Sequence, residues 1–143
     1  MTFRPYNKIT TSGVSDERSN NTGSVINKAT PVRINNSGEL DFIDVSIEAD
    51  IKGSIGIVKS NISNGAKGAI ISSGKVEDIT TSAGFGDPMY IDKTGEITNI
   101  EPDIGVNSFV AGDFVVAVGV IAKNESNPIL KDLIVLIDIR GQL

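Results

Sequence analysis

The side chains of this chain that could do chemistry are carboxylates. Asp41, Asp44, Glu48 and Asp50 form one group, Glu77, Asp78 and Asp87 a second, and Asp92, Glu96, Glu101, Asp103 and Asp113 a third. Two carboxyl groups held close together can cleave a glycosidic bond, one as acid and the other as base or nucleophile. Histidine and cysteine are both absent, which removes the commonest general base near neutral pH, thiol catalysis, disulfides and Cys- or His-based metal sites. A calcium loop of the D-x-[DN]-x-[DN]-G kind is also missing. GFGDP (84–88) and VAGDF (110–114) are glycine-rich, but β-branched residues follow them where a phosphate cradle needs a helix. They read as tight turns leading into strands, with Asp87 and Asp113 capping backbone N–H groups. The acids at 41–50 fall where the solvated faces of alternating strands would put them, and Glu39 and Glu96 follow turn glycines. The expectation is a chain with no catalytic, cofactor-binding or metal-binding residues, and no enzyme.

The elements that position these acids come in a repeat. TPVRINNSGEL (30–40) returns as DPMYIDKTGEI (87–97), and SIGIVKSNISNG (54–65) is echoed by AVGVIAKNESNP (117–128), in the same order and at offsets of 57 and 63 residues. What recurs is turn chemistry, at Gly38/Gly95 and Asn64/Asn127, and packing glycines, at Gly56/Gly119. PVRI and LDFIDVSI flank an Asn-Asn-Ser-Gly turn, which predicts a hairpin with Gly38 at positive φ. LDFIDVSIEADI alternates with a one-residue slip and is expected to be a half-buried strand bulged near Phe42 and Ile43. SIGIV and AVGVI are continuous apolar runs, expected to be buried on both sides and crossed closely by another backbone at their glycines. Residues 133–139 read as a half-exposed strand. Sustained helical periodicity is absent. The predicted class is all-β: a compact β-sandwich or β-barrel in which two duplicated units, related by a pseudo-two-fold axis, cover each other's apolar faces.

At 143 residues the chain suits one domain, with copy one at about 30–73, a bridge at 74–86 and copy two at about 87–143. Residues 1–28 are rich in Ser, Thr, Asn and Gly and are expected to form an extended N-terminal arm outside the 29–143 domain. Phe3, Arg4, Pro5, Tyr6, Lys8 and Ile9 interleave apolar and basic side chains, and are the candidate partner-binding residues, docking on a neighbour by strand addition. The net charge of −5 and the 5% aromatic content argue against a nucleic-acid partner. The N-terminal residues lack the apolar core of a signal peptide, and no apolar run reaches the roughly 18 residues of a membrane span. A soluble protein made in a cytoplasm is expected.

The phrases P-V-x-I, G-I-V, G-x-I-I-x-x-G-x-V, GDPMYID-TGEIT, G-D-F-V-x-x-V-G-V-I and LIVLIDIR, spread over about 30–143, resemble the capsid decoration, or head auxiliary, proteins of tailed bacteriophages. The resemblance implies a virion structural protein, a cement on the outside of an icosahedral shell, with the major capsid protein as partner, often as a homotrimer, and without a cofactor. Rival readings are a head or tail fibre module that binds a host surface glycan, which calls for exposed aromatics beside polar loops, and a carboxylate glycosidase.

Overall fold

The computed structural model describes residues 15–53 and 55–143. They form ten strands and one short helix: β1 (Ser15–Ser19), β2 (Pro31–Ile34), β3 (Leu40–Phe42), α1 (Glu48–Lys52), β4 (Ile55–Val58), β5 (Lys67–Ile71), β6 (Ser73–Val76), β7 (Pro88–Ile91), β8 (Ile97–Thr98), β9 (Phe114–Lys123) and β10 (Lys131–Gln142). Sheet 1 has the order β1-β5-β4-β2-β3 and sheet 2 the order β6-β10-β9-β7-β8. All of these pairings are antiparallel. The class is all-β, and the sheets pack on each other as a sandwich.

The two orders are the same, with β6 to β10 in the places of β1 to β5. Registers match as well: Val32 faces Gly56 as Met89 faces Gly119, Val58 faces Ile70 as Ile121 faces Leu133, and Ile34 faces Leu40 as Ile91 faces Ile97. The hairpin turns are built alike. Asn35 Oδ1 accepts hydrogen bonds from the N–H groups of Ser37 (2.9 Å) and Glu39 (3.0 Å), and Asp92 Oδ1 from those of Thr94 (2.8 Å) and Glu96 (3.1 Å). Gly38 and Gly95 complete them with φ of +77° and +87°, a region glycine enters without steric cost.

The sheets do not stack as a pseudo-two-fold pair, because their buried faces are not equivalent. Val32, Leu40, Val58 and Ile70 of sheet 1 pack with Ile26 and Ile62 in a small cluster on its outer side. Of their counterparts in sheet 2, Met89, Ile121 and Leu133 belong to the main core and Ile97 packs against it, and sheet 1 enters that core from its other face with Ile57 and Ile71. The sheets are stacked front to back. Residues between β1 and β2 close one end of the stack: Ile26 pairs with Ile62 through N–H···O bonds of 2.9 and 2.8 Å, and fully buried Asn20 donates to the carbonyls of Ser24 (2.8 Å) and Ile62 (2.9 Å).

Three further expectations are corrected. Residues 15–28 are integral to sheet 1 and its cap, because polar side chains such as Asn20 bond the backbone and one isoleucine supplies the burial that composition did not reveal. The stretch after Phe42 leaves the sheet. Asp44 Oδ1 accepts from Ser46 N–H (2.9 Å) and Oγ–H (2.6 Å), which turns the chain into α1, where Glu48 pairs with Lys52 at 3.0 Å. AVGVI is buried at Ala117, Val118 and Ile121 but open on its outer side at Val120. SIGIV behaves as expected, with Ile57 in the main core and Val58 in the outer cluster. Both glycines are close approaches: a Cβ would lie 3.1 Å from the Ile71 carbonyl oxygen at Gly56 and 1.9 Å from that of Ile134 at Gly119.

Candidate interaction surface

The carboxylates brace the fold. Arg33 lies between Asp41 (3.3 Å) and the buried Asp50 (3.0 Å), and Asp50 Oδ2 also accepts from Asp44 N–H at 2.9 Å. Asp50 is therefore an interior ion-pair partner, where a solvated strand face was expected. The Ser46 hydroxyl and N–H hold the Asp44 carboxyl below its ordinary pKa, with a small contribution from Lys93. Asp87 and Asp113 cap as expected, accepting from Gly84 N–H and Val110 N–H, each at 2.8 Å. Asn99 and the Gly84 N–H lower the pKa of Asp87. For Asp113 burial opposes ionisation, yet the Lys93 ammonium at 2.7 Å and the Val110 N–H hold the carboxyl below its usual value. Buried Asp132 accepts from Asp78 N–H (2.9 Å), and Asn124 bridges it to Glu77 at 3.0 and 3.1 Å. Among the described residues no three or more Asp or Glu side chains are grouped to hold a metal ion.

Phe3, Arg4, Pro5, Tyr6, Lys8 and Ile9 lie outside the described residues. What the structure brings together instead is the outer face of sheet 2. Pro88, Val120, Ile134 and Lys75 form one row across β7, β9, β10 and β6, and Leu136 stands two residues further along β10. Val120, Ile134 and Leu136 are 43, 42 and 68% exposed, whereas the equivalent Ile57 and Ile71 of sheet 1 are 0 and 3% exposed. The face is bordered by the ion pairs Lys75–Glu77 (3.8 Å) and Asp138–Arg140 (3.2 Å), and Arg140 also lies over the ring of the buried Tyr90 at 5.8 Å. The loops entering β7 and β10 at the Pro88 end of the sheet carry two further exposed apolar side chains, Phe85 and Ile129. The reading of 133–139 as half exposed found β10. The neighbouring Val120 was missed, because a residue between Gly119 and Ile121 looks buried until the faces are known.

A polar hollow of about 300 Å³, lined by residues including Asn27, Lys28, Thr30, Thr81, Ser82 and Glu96, lies where the first unit meets the second. An adjoining hollow is lined by Val25, Phe42, Thr94 and Gly95 among others. No helix among the described residues is long and apolar enough to cross a membrane. This chain matches no protein-family model, no curated protein and no solved structure compared with it.

Proposed function

We propose that the chain is a virion structural protein, without enzymatic activity, that binds the outer surface of an icosahedral phage capsid and cements neighbouring subunits of the major capsid protein, as a homo-oligomer. The observation that carries this reading is a β-sandwich that leaves large apolar side chains, Phe85 and Ile129, exposed on loops at one end of sheet 2. Exposed apolar groups framed by polar loops mark surfaces that bind other macromolecules. Each contact with a capsid subunit is small, and engaging several subunits at once multiplies the weak contacts into avidity. The N-terminal residues Phe3, Arg4, Pro5, Tyr6, Lys8 and Ile9 extend the same interface by strand addition. The acidic character of the chain suits a virion exterior, since it offers the packaged genome no attraction.

Co-sedimentation with empty capsids tests this. The full chain pellets with shells, Phe85→Ser combined with Ile129→Ser lowers binding about tenfold or more, and removal of residues 1–14 weakens it further. Failure of the intact protein to bind any shell of its own virion, or undiminished binding by the double variant, overturns the reading or the surface. A second reading, a fibre module for a host glycan, draws on the aromatic Phe42 beside the polar side chains of the second hollow; loss of glycan binding in Phe42→Ala, with shell binding absent, favours it.

A further inference from the structure

We propose that the outer face of sheet 2 is a self-association surface, on which the same face of a second copy packs about a two-fold axis to give a closed dimer. This goes beyond the capsid reading and does not depend on it. The first argument is internal precedent. Pro31, Ile57 and Ile71 occupy, in sheet 1, the register positions of Pro88, Val120 and Ile134 in sheet 2. In sheet 1 that row is sealed beneath another sheet of the same topology, and in sheet 2 it is open among the described residues. Within the chain such a row is thus covered once by the apolar face of a sheet; that contact is front to back, so the two-fold arrangement rests on the charge and closure that follow.

The second argument is charge. Two copies of a chain with net charge −5 repel each other over most of their surface, but Lys75, Glu77, Asp138 and Arg140 around this face sum to zero. Lys75 and Asp138 lie on different sides of the apolar centre, so a two-fold operation brings opposite signs together. The third argument is closure. The residue 20–28 segment already covers the outer side of sheet 1, which leaves one sheet face open among the described residues of each copy. Pairing like with like uses that face in both copies and stops at two, with capped ends outward; a head-to-tail contact would leave it free at one end and continue.

The chain has no cysteine, so single-cysteine variants report on position without background. Sedimentation of the full chain over a range of concentrations is expected to show a monomer–dimer equilibrium. Leu136→Lys, at an exposed position, raises the dissociation constant about 100-fold, because each copy carries the change and a central apolar contact is worth about tenfold per side. Val25→Lys, exposed on the capped side, leaves it unchanged. Leu136→Cys crosslinks the dimer on oxidation and Val25→Cys does not. A monomer at all concentrations whose Leu136→Cys reacts freely with a maleimide overturns the proposal in favour of a different partner. A monomer in which that cysteine is shielded overturns it in favour of the chain's own residues 1–14. A trimer, or any assembly indifferent to Leu136→Lys, also overturns it. Shell binding by a Leu136→Lys monomer separates failure of the dimer from failure of the capsid reading.

Discussion

At the scale of single residues, the two matched glycines are not equally demanding. Gly119 has φ of +151° and its missing Cβ would fall 1.9 Å from the Ile134 carbonyl oxygen, where backbone must move; at Gly56 the corresponding distance is 3.1 Å. Gly119→Ala is expected to cost at least about 2 kcal/mol, a loss of roughly 4–8 °C in melting temperature, and Gly56→Ala markedly less. Thermal unfolding followed by circular dichroism decides it. Asp113 gives a second expectation. Its folded-state pKa lies below the unfolded value, so its contribution is complete above the ordinary carboxylate range, near about 4, and is lost as pH falls through and below it. Asp113→Asn should cost about 1.5–3 kcal/mol at neutral pH, since it weakens a buried charged acceptor for Lys93 and Val110. Its deficit against the unmodified chain should narrow between about pH 4 and pH 2; a constant deficit over that range counts against the ion pair. Glycine spacing and the Asp caps were readable in sequence because their chemistry is local. The partnership of Asp50 with Arg33 was not, since it depends on a segment leaving the sheet.

At the scale of elements, composition misled where a few apolar residues carry the burial. Residues 1–28 look predominantly polar, yet β1 pairs with β5 along its whole length and Ile26 is fully buried against Val32, Val58 and Ile62. Removing residues 1–28 is therefore expected to destabilise the domain, since losing Ile26 alone costs about 2–5 kcal/mol, or roughly 4–20 °C. A truncated chain that melts with the full one would contradict the capping role. The hairpins at Asn35 and Asp92 were legible because turn residues declare themselves within a few positions. The end of β3 was not, because alternation in LDFIDVSIEADI fits a strand as well as a strand followed by a helix. What decides between them is the Asp44–Ser46 bonding that starts the turn.

At the scale of the molecule, the repeat predicted two β-units in contact, and both their equivalence in topology and the sandwich are visible in the register. Which faces meet was beyond the sequence. Ile57 and Val120 are both β-branched aliphatics in the same phrase, and only the stacking of one sheet on the back of the other makes the first core and the second surface. The candidate surface was hidden in the sequence for the same reason: its residues are indistinguishable in type from those that fill the interior. Among the described residues no segment covers the outer face of sheet 2 as residues 20–28 cover that of sheet 1, so the two units differ less in their strands than in what lies outside them.

Each sheet is contiguous in the chain, with its first strand hydrogen-bonded to its last, Asp16 facing Ile70 and Val76 facing Leu133. On a ribosome, the first sheet has all its strands once Ile71 has emerged, but the sheet that shields Ile57 and Ile71 has no complete ladder until Leu133 follows. At about 5–20 residues per second this leaves an unshielded aliphatic surface for roughly 3–12 s in every nascent chain. Front-to-back stacking thus sets a vectorial order of maturation, and that interval is when a nascent chain is most exposed to aggregation and chaperone capture.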